Sequence, residues 1–144
     1  MKSRYVQQLA IDVDDVPGHQ VRVQESQRTY PQDKARMIEG ERIIEMWIRS
    51  MTNYTQGIGP SYGYQTWITD KGNKIFVETI GTSEAQVLSS GAKRGTYHGT
   101  ARFTGGTGRF AKIRGNIVDV AKFYTDPKEG YSLQDSHGEY WFEQ

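Results

Sequence analysis

The chain of 144 residues contains no cysteine, four prolines and three histidines. Without thiols there are no disulfides, no cysteine nucleophile and no thiolate metal site. The histidines stand far apart, at His19, His98 and His137, and no His/Asp/Glu spacing matches a metal site, so no metal is expected. The serines lack a nucleophile-elbow context, which removes triad hydrolysis. An excess of one charge is also missing: 18 basic against 17 acidic residues leave a net charge of +1. Nucleic-acid binding calls for a clustered basic excess and is not expected. No apolar run approaches the twenty or so residues of a membrane helix. Met1-Lys-Ser-Arg-Tyr5 has no apolar segment behind it, so no signal peptide is expected in the sequence as given. A cytoplasmic protein and a processed exported form both fit, and the compartment stays open.

What is abundant is tyrosine (nine), phenylalanine (five), tryptophan (three) and glycine (sixteen). Short aromatic strands joined by glycine turns follow from that mixture. Alternation predicts strands over Tyr5–Val13, His19–Thr29, Gly40–Tyr54, Ser61–Thr69, Lys74–Thr82, Gly95–Thr104, Ala111–Tyr124 and Gly138–Glu143. Polar loops are expected at Tyr30–Glu39, with a helical turn near Asp33–Met37, and at Ser83–Arg94 and Thr125–His137. Residues Glu39–Ile48 also satisfy helical spacing, but their β-branched and aromatic content favours strand. The expected fold is all-β: one domain over residues 1–144, a closed antiparallel barrel of about eight hairpin-linked strands with little helix. Closure removes exposed edges, and eight strands leave room for side chains or one small ligand.

Residues of one parity on a strand share a face. Glu45, Trp47 and Arg49 therefore point together, either into a lumen, where Glu45 and Arg49 orient a ligand or move a proton, or outward as an ion pair. Glu78, between Phe76 and Ile80, is a candidate buried carboxylate whose pKa burial would raise toward general acid–base use; pairing with a basic neighbour is the alternative. Trp47, Tyr62, Tyr64, Trp67, Phe76 and Tyr97 are candidate aromatic liners, although core packing is the commoner fate of such rings. His98 is a candidate titrating contact, and Glu139 shares a face with Trp141 and Glu143 near the C-terminus. On His19–Thr29, Val21 and Val23 form one face and Gln20, Arg22 and Gln24 the other, the pattern of a half-buried strand.

The densest signal is Gly99-Thr-Ala-Arg-Phe-Thr-Gly-Gly-Thr-Gly-Arg-Phe-Ala-Lys-Ile-Arg-Gly115, a strand end, a turn and a new strand. Gly105, Gly106 and Gly108 allow the positive φ that tight reversals demand. No Lys-Ser/Thr or helical pattern follows, so a phosphate-binding loop is excluded. With Tyr97-x-Gly-Thr-Ala-x-Phe103 before it, this run resembles the signature of allene oxide cyclase-like and dirigent-like proteins, small barrels of the calycin-like group. The resemblance spans about twenty residues. It implies a barrel without cofactor, oligomeric (a dimer or trimer) through its outer wall, that takes a small apolar or aromatic molecule. It also implies a carboxylate at Glu45 or Glu78, a cation at Arg49 and an aromatic wall of Trp47, Tyr62 and Tyr64. Two functions fit: a cyclase or isomerase working by confinement in the lumen, and a non-catalytic carrier or interaction barrel. A lumen filled by side chains would exclude both a carrier and a cyclase.

Overall fold

The computed structural model describes residues 1–125 and 130–144. Nine antiparallel strands form one sheet: β1 (Lys2–Asp12), β2 (His19–Thr29), β3 (Met37–Ile38), β4 (Glu41–Thr55), β5 (Gly59–Thr69), β6 (Lys74–Val87), β7 (Lys93–Gly106), β8 (Ile113–Thr125) and β9 (Gly130–Phe142). The ladder runs β1-β2-β4-β5-β6-β7-β8-β9, with the two-residue β3 off its path on β4. Each long strand pairs with its neighbour in the chain, as hairpin connections require. The only helical pieces among the described residues are 3-10 turns at Gln32–Lys34 and Gly108–Phe110.

Residues 42–51 are strand and not helix. The expected loop Ser83–Arg94 shrinks, because β6 continues to Val87 and β7 begins at Lys93. The alternation beyond Thr82 is carried by Ser, Ala and Gln and so is nearly silent in hydropathy. Of the expected loop Thr125–His137, residues 126–129 lie outside the described residues and Gly130 onward is β9.

The sheet does not close into the expected barrel through its backbone. Among the described residues no ladder joins β1 to β9. Side chains span the seam instead. Arg28 Nη1 donates to Gln134 Oε1 at 3.5 Å, Arg36 Nη2 to Ser136 Oγ at 3.5 Å, and Tyr140 Oη to Glu39 Oε1 at 2.8 Å. All three reach β9 from β2 or from the segment between β2 and β4, and none comes from β1.

One end of the curled sheet is plugged. Ile43, Trp67, Ile75, Phe103, Phe110 and Ile113 interlock there, and Phe110, Ile75 and Ile113 have no exposed surface. Burying a ring such as Phe110 contributes about 2–3 kcal/mol. Trp67 and Phe103 meet edge to face with centroids 5.4 Å apart.

Glu41 is sealed into this end. It accepts from Thr69 Oγ1 at 2.6 Å and from Asn73 Nδ2 at 3.1 and 3.0 Å. The Thr69 hydroxyl above all, then Asn73, holds its carboxyl below the usual range despite burial. The glycine turn closes over this node. Gly108 has φ +55°, and a β-carbon there would stand 2.4 Å from Asn73 Oδ1. The sequence signature is therefore a lid on the dry end.

Candidate functional site

Away from the plug the concave face stays open, forming a cavity of about 490 Å³. Its floor is the apolar set Met46, Ile48, Trp67, Ala101 and Ile117. Its walls are polar. Arg22, Thr52, Ser61, Gly81, Gly99, Asp119 and Ser136 face one another in register from β2 round to β9. The two glycines of that row make space for a ring. Tyr97 lies over Gly99, where a β-carbon would stand 2.5 Å from its hydroxyl, and reaches Gly81, where the same distance would be 2.3 Å. Burial pushes the Tyr97 and Tyr54 phenols up, with the Ser61 hydroxyl opposing.

Asp119 is the one carboxylate on the cavity wall among the described residues. Gln134 Nε2 donates to its Oδ2 at 2.7 Å and Ser136 Oγ to its Oδ1 at 2.8 Å. Through these two side chains Asp119 connects to Arg28 and Arg36 across the seam. Two buried polar atoms in the cavity wall, Arg28 Nε and Thr52 Oγ1, have no hydrogen-bond partner among the described residues. Buried polar atoms are almost always partnered by protein, water or ligand, so these two stand out in the wall.

The residues expected from the sequence divide by face. Trp67 and Tyr97 lie on the inner face. Glu45, Trp47, Arg49, Tyr62, Tyr64, Phe76, Glu78, His98 and Glu139 all lie on the outer face, which corrects the lumen alternative for Glu45 and Arg49 and the liner placement of Trp47, Tyr62, Tyr64 and Phe76, and leaves Glu78 with its basic-neighbour alternative. The cross-strand row Glu25, Arg49, Tyr64, Glu78, Arg102, Asn116 and Glu139 runs along that outside wall. Arg49 Nε donates to Glu25 Oε2 at 2.7 Å, and Glu45 accepts from Gln27 and from the Trp47 indole. Glu78 is not a buried carboxylate with a raised pKa. The Tyr62 hydroxyl at 2.5 Å, then Arg102 Nε at 2.6 Å, hold it below the usual range. His98 pairs with Thr82 and Val120 on an exposed stretch.

The cause of the reversal is that the hydropathy of the two faces runs against intuition. Val23, Ile80 and Val118 are 55%, 60% and 58% exposed, while Arg22 and Gln24 face the cavity. On β4 a bulge between Ile43 and Glu45 also breaks parity, so Ile43 and Met46 share the inner side although one number is odd and the other even. Sequence reasoning missed Arg28, Thr52 and Asp119 as site residues. The polar periodicity of Arg22 and Gln24 was the available signal, read as solvent-facing. Among the described residues no three His, Asp or Glu side chains gather as metal ligands. The chain matches no protein-family model, no curated protein and no solved structure in comparisons with each.

Proposed function

We propose that the protein binds a small aromatic or apolar molecule inside the curled sheet, seated on Met46, Ile48 and Trp67. The observation that carries this reading is an open cavity of about 490 Å³ with an apolar floor and two unpartnered polar atoms in its wall. A volume of that order is typical of small-molecule sites. Side-chain bridging at the seam supports treating the sheet as a working barrel. The Gly105–Gly115 resemblance to allene oxide cyclase-like and dirigent-like barrels agrees with such use. The exposed row Leu9, Val23, Met51, Ile80 and Val118 supports burial of the outer wall in a homo-oligomer.

A second reading, cofactor-free cyclisation or isomerisation, draws on Asp119 and Tyr97 lining the same cavity. Chemistry in the lumen would run through that pair, since Glu45 and Glu78 lie outside. The binding reading is tested by titrating the chain with the neutral fluorophore N-phenylnaphthylamine. Saturable binding by the native chain, lost in an Ala121→Trp variant that fills the cavity, is expected. Binding untouched by Ala121→Trp contradicts it.

A further inference from the structure

Of the seven arginines off the cavity wall five are in ion pairs, while Arg4 meets neutral Gln27 and Arg94 is in no ion pair among the described residues. Outside the cavity, Arg42, Arg49, Arg102, Arg109 and Arg114 each have a carboxylate within ion-pair distance, between 2.5 and 3.8 Å. On the cavity wall Arg22, Arg28, Arg36 and Lys93 face the single carboxylate Asp119. None of these four is in an ion pair among the described residues. Arg22 is engaged by neutral Gln20 at 2.7 and 3.1 Å, and Arg28 and Arg36 reach only neutral Gln134 and Ser136, each at 3.5 Å. Asp119 in turn accepts from those same two neutral side chains. A concave site lined by unneutralised cations focuses a positive potential on its interior.

We propose, resting on the small-molecule reading above, that the ligand is an anionic amphiphile whose acidic group is received by Arg28. The placement is specific. Arg28 stands directly opposite Met46, and Met46 directly opposite Trp67, so cation, thioether and indole lie side by side across β2, β4 and β5. Half-buried Arg28 lines the cavity, and its one side-chain contact among the described residues is the 3.5 Å reach of Nη1 to neutral Gln134, so its guanidinium can take the oxygens of an acid. An apolar or aromatic body attached to that acid then covers Met46, Ile48 and Trp67.

The test compares two probes sharing one aromatic skeleton, anilinonaphthalene sulfonate and neutral N-phenylnaphthylamine, on the full chain. The sulfonate is expected to bind tighter than the neutral probe, and more weakly as salt is added. Arg28→Gln is expected to weaken the sulfonate about tenfold or more while leaving the neutral probe unchanged, the loss typical of a charge-assisted contact. Arg102→Gln, on the outer wall, is expected to change neither. If Arg28→Gln does not give a cooperative melt, Arg28→Lys is measured instead, with a smaller selective loss of the sulfonate expected. Equal affinity for the two probes, or a sulfonate preference that survives Arg28 replacement, overturns the inference while leaving the binding reading in place. Failure of both probes to bind overturns the binding reading itself.

Discussion

Tyr97 lies over Gly99, two residues ahead on the same strand, so that the three atoms nearest a β-carbon on Gly99 would all belong to the tyrosine ring, at 2.5 to 2.8 Å. The phenol is thereby carried across the cavity toward Ser61. Gly81 serves the same ring but also backs onto the His98 carbonyl, 2.6 Å from where its β-carbon would stand. These two glycines predict different genetics. Gly99→Ala should destabilise by about 1–3 kcal/mol through overpacking. Tyr97→Ala in the same chain should cancel that added cost, because alanine suits a strand better than glycine once the ring is gone. Gly81→Ala should stay costly in the Tyr97→Ala background, since the backbone clash remains. Urea melts of the four variants and the parent decide it.

Glu41 predicts a pH dependence at the acid end. Its carboxyl is held below the ordinary 4.5, so it stabilises the fold above that value and the contribution is lost as pH falls through its lowered folded pKa. Glu41→Gln places an amide N–H2 among donors from Thr69 and Asn73. We expect a lower melting temperature near neutrality and a flatter acid limb. Thermal melts from pH 3 to 7 check both, and an unchanged melting temperature would remove Glu41 as the anchor of the plug.

The outer-wall carboxylates predict the opposite outcome. Glu78→Gln and Glu45→Gln should leave N-phenylnaphthylamine affinity within about twofold of the parent, because exposed pairs contribute little and neither side chain faces the cavity. A large loss of affinity in either variant would return the site to the outer face.

The strand plan was legible from the sequence because period-two alternation survives in segments such as His19–Thr29, whose bounds match β2. The glycine turn was legible because positive φ at Gly105 and Gly108 has few other solutions. Which face is the inside was not legible. The rule that apolar residues mark the interior points Val21 and Val23 inward, yet this interior has a polar, charged wall that mimics a solvent face. The bulge at Ile44 also defeats counting by twos, and nothing in Ile43-Ile44-Glu45 announces it. Trp67 shares β5 with Tyr62 and Tyr64, which face the other way, so aromatic character and not alternation puts it among the cavity candidates.

His19 predicts a second pH effect, at the β1–β2 hairpin. Its ring nitrogens face Asn53 Oδ1 and Asp15 Oδ1, each at 2.6 Å, an arrangement that asks both nitrogens to carry protons. The Asn53 oxygen first, then Asp15, raise its pKa above 6.5. The stabilisation is therefore complete below 6.5 and is lost as pH rises through the raised value. Asp15, held below 3.8 chiefly by His19, loses its share only in strong acid. Hairpin amide protection should hold below pH 6.5 and fall as pH rises above it in the parent, and stay flat in His19→Gln, as hydrogen exchange would report. A His19 ring titrating at or below 6.5 by NMR contradicts this.

The most direct measurement is methyl NMR of the full chain with N-phenylnaphthylamine added. Shifts confined to the cavity methyls of Ile48, Ile117 and Ala121 are predicted, with Val23, Ile80 and Val118 on the outer wall unmoved. Shifts on the outer set with a silent interior would contradict the account.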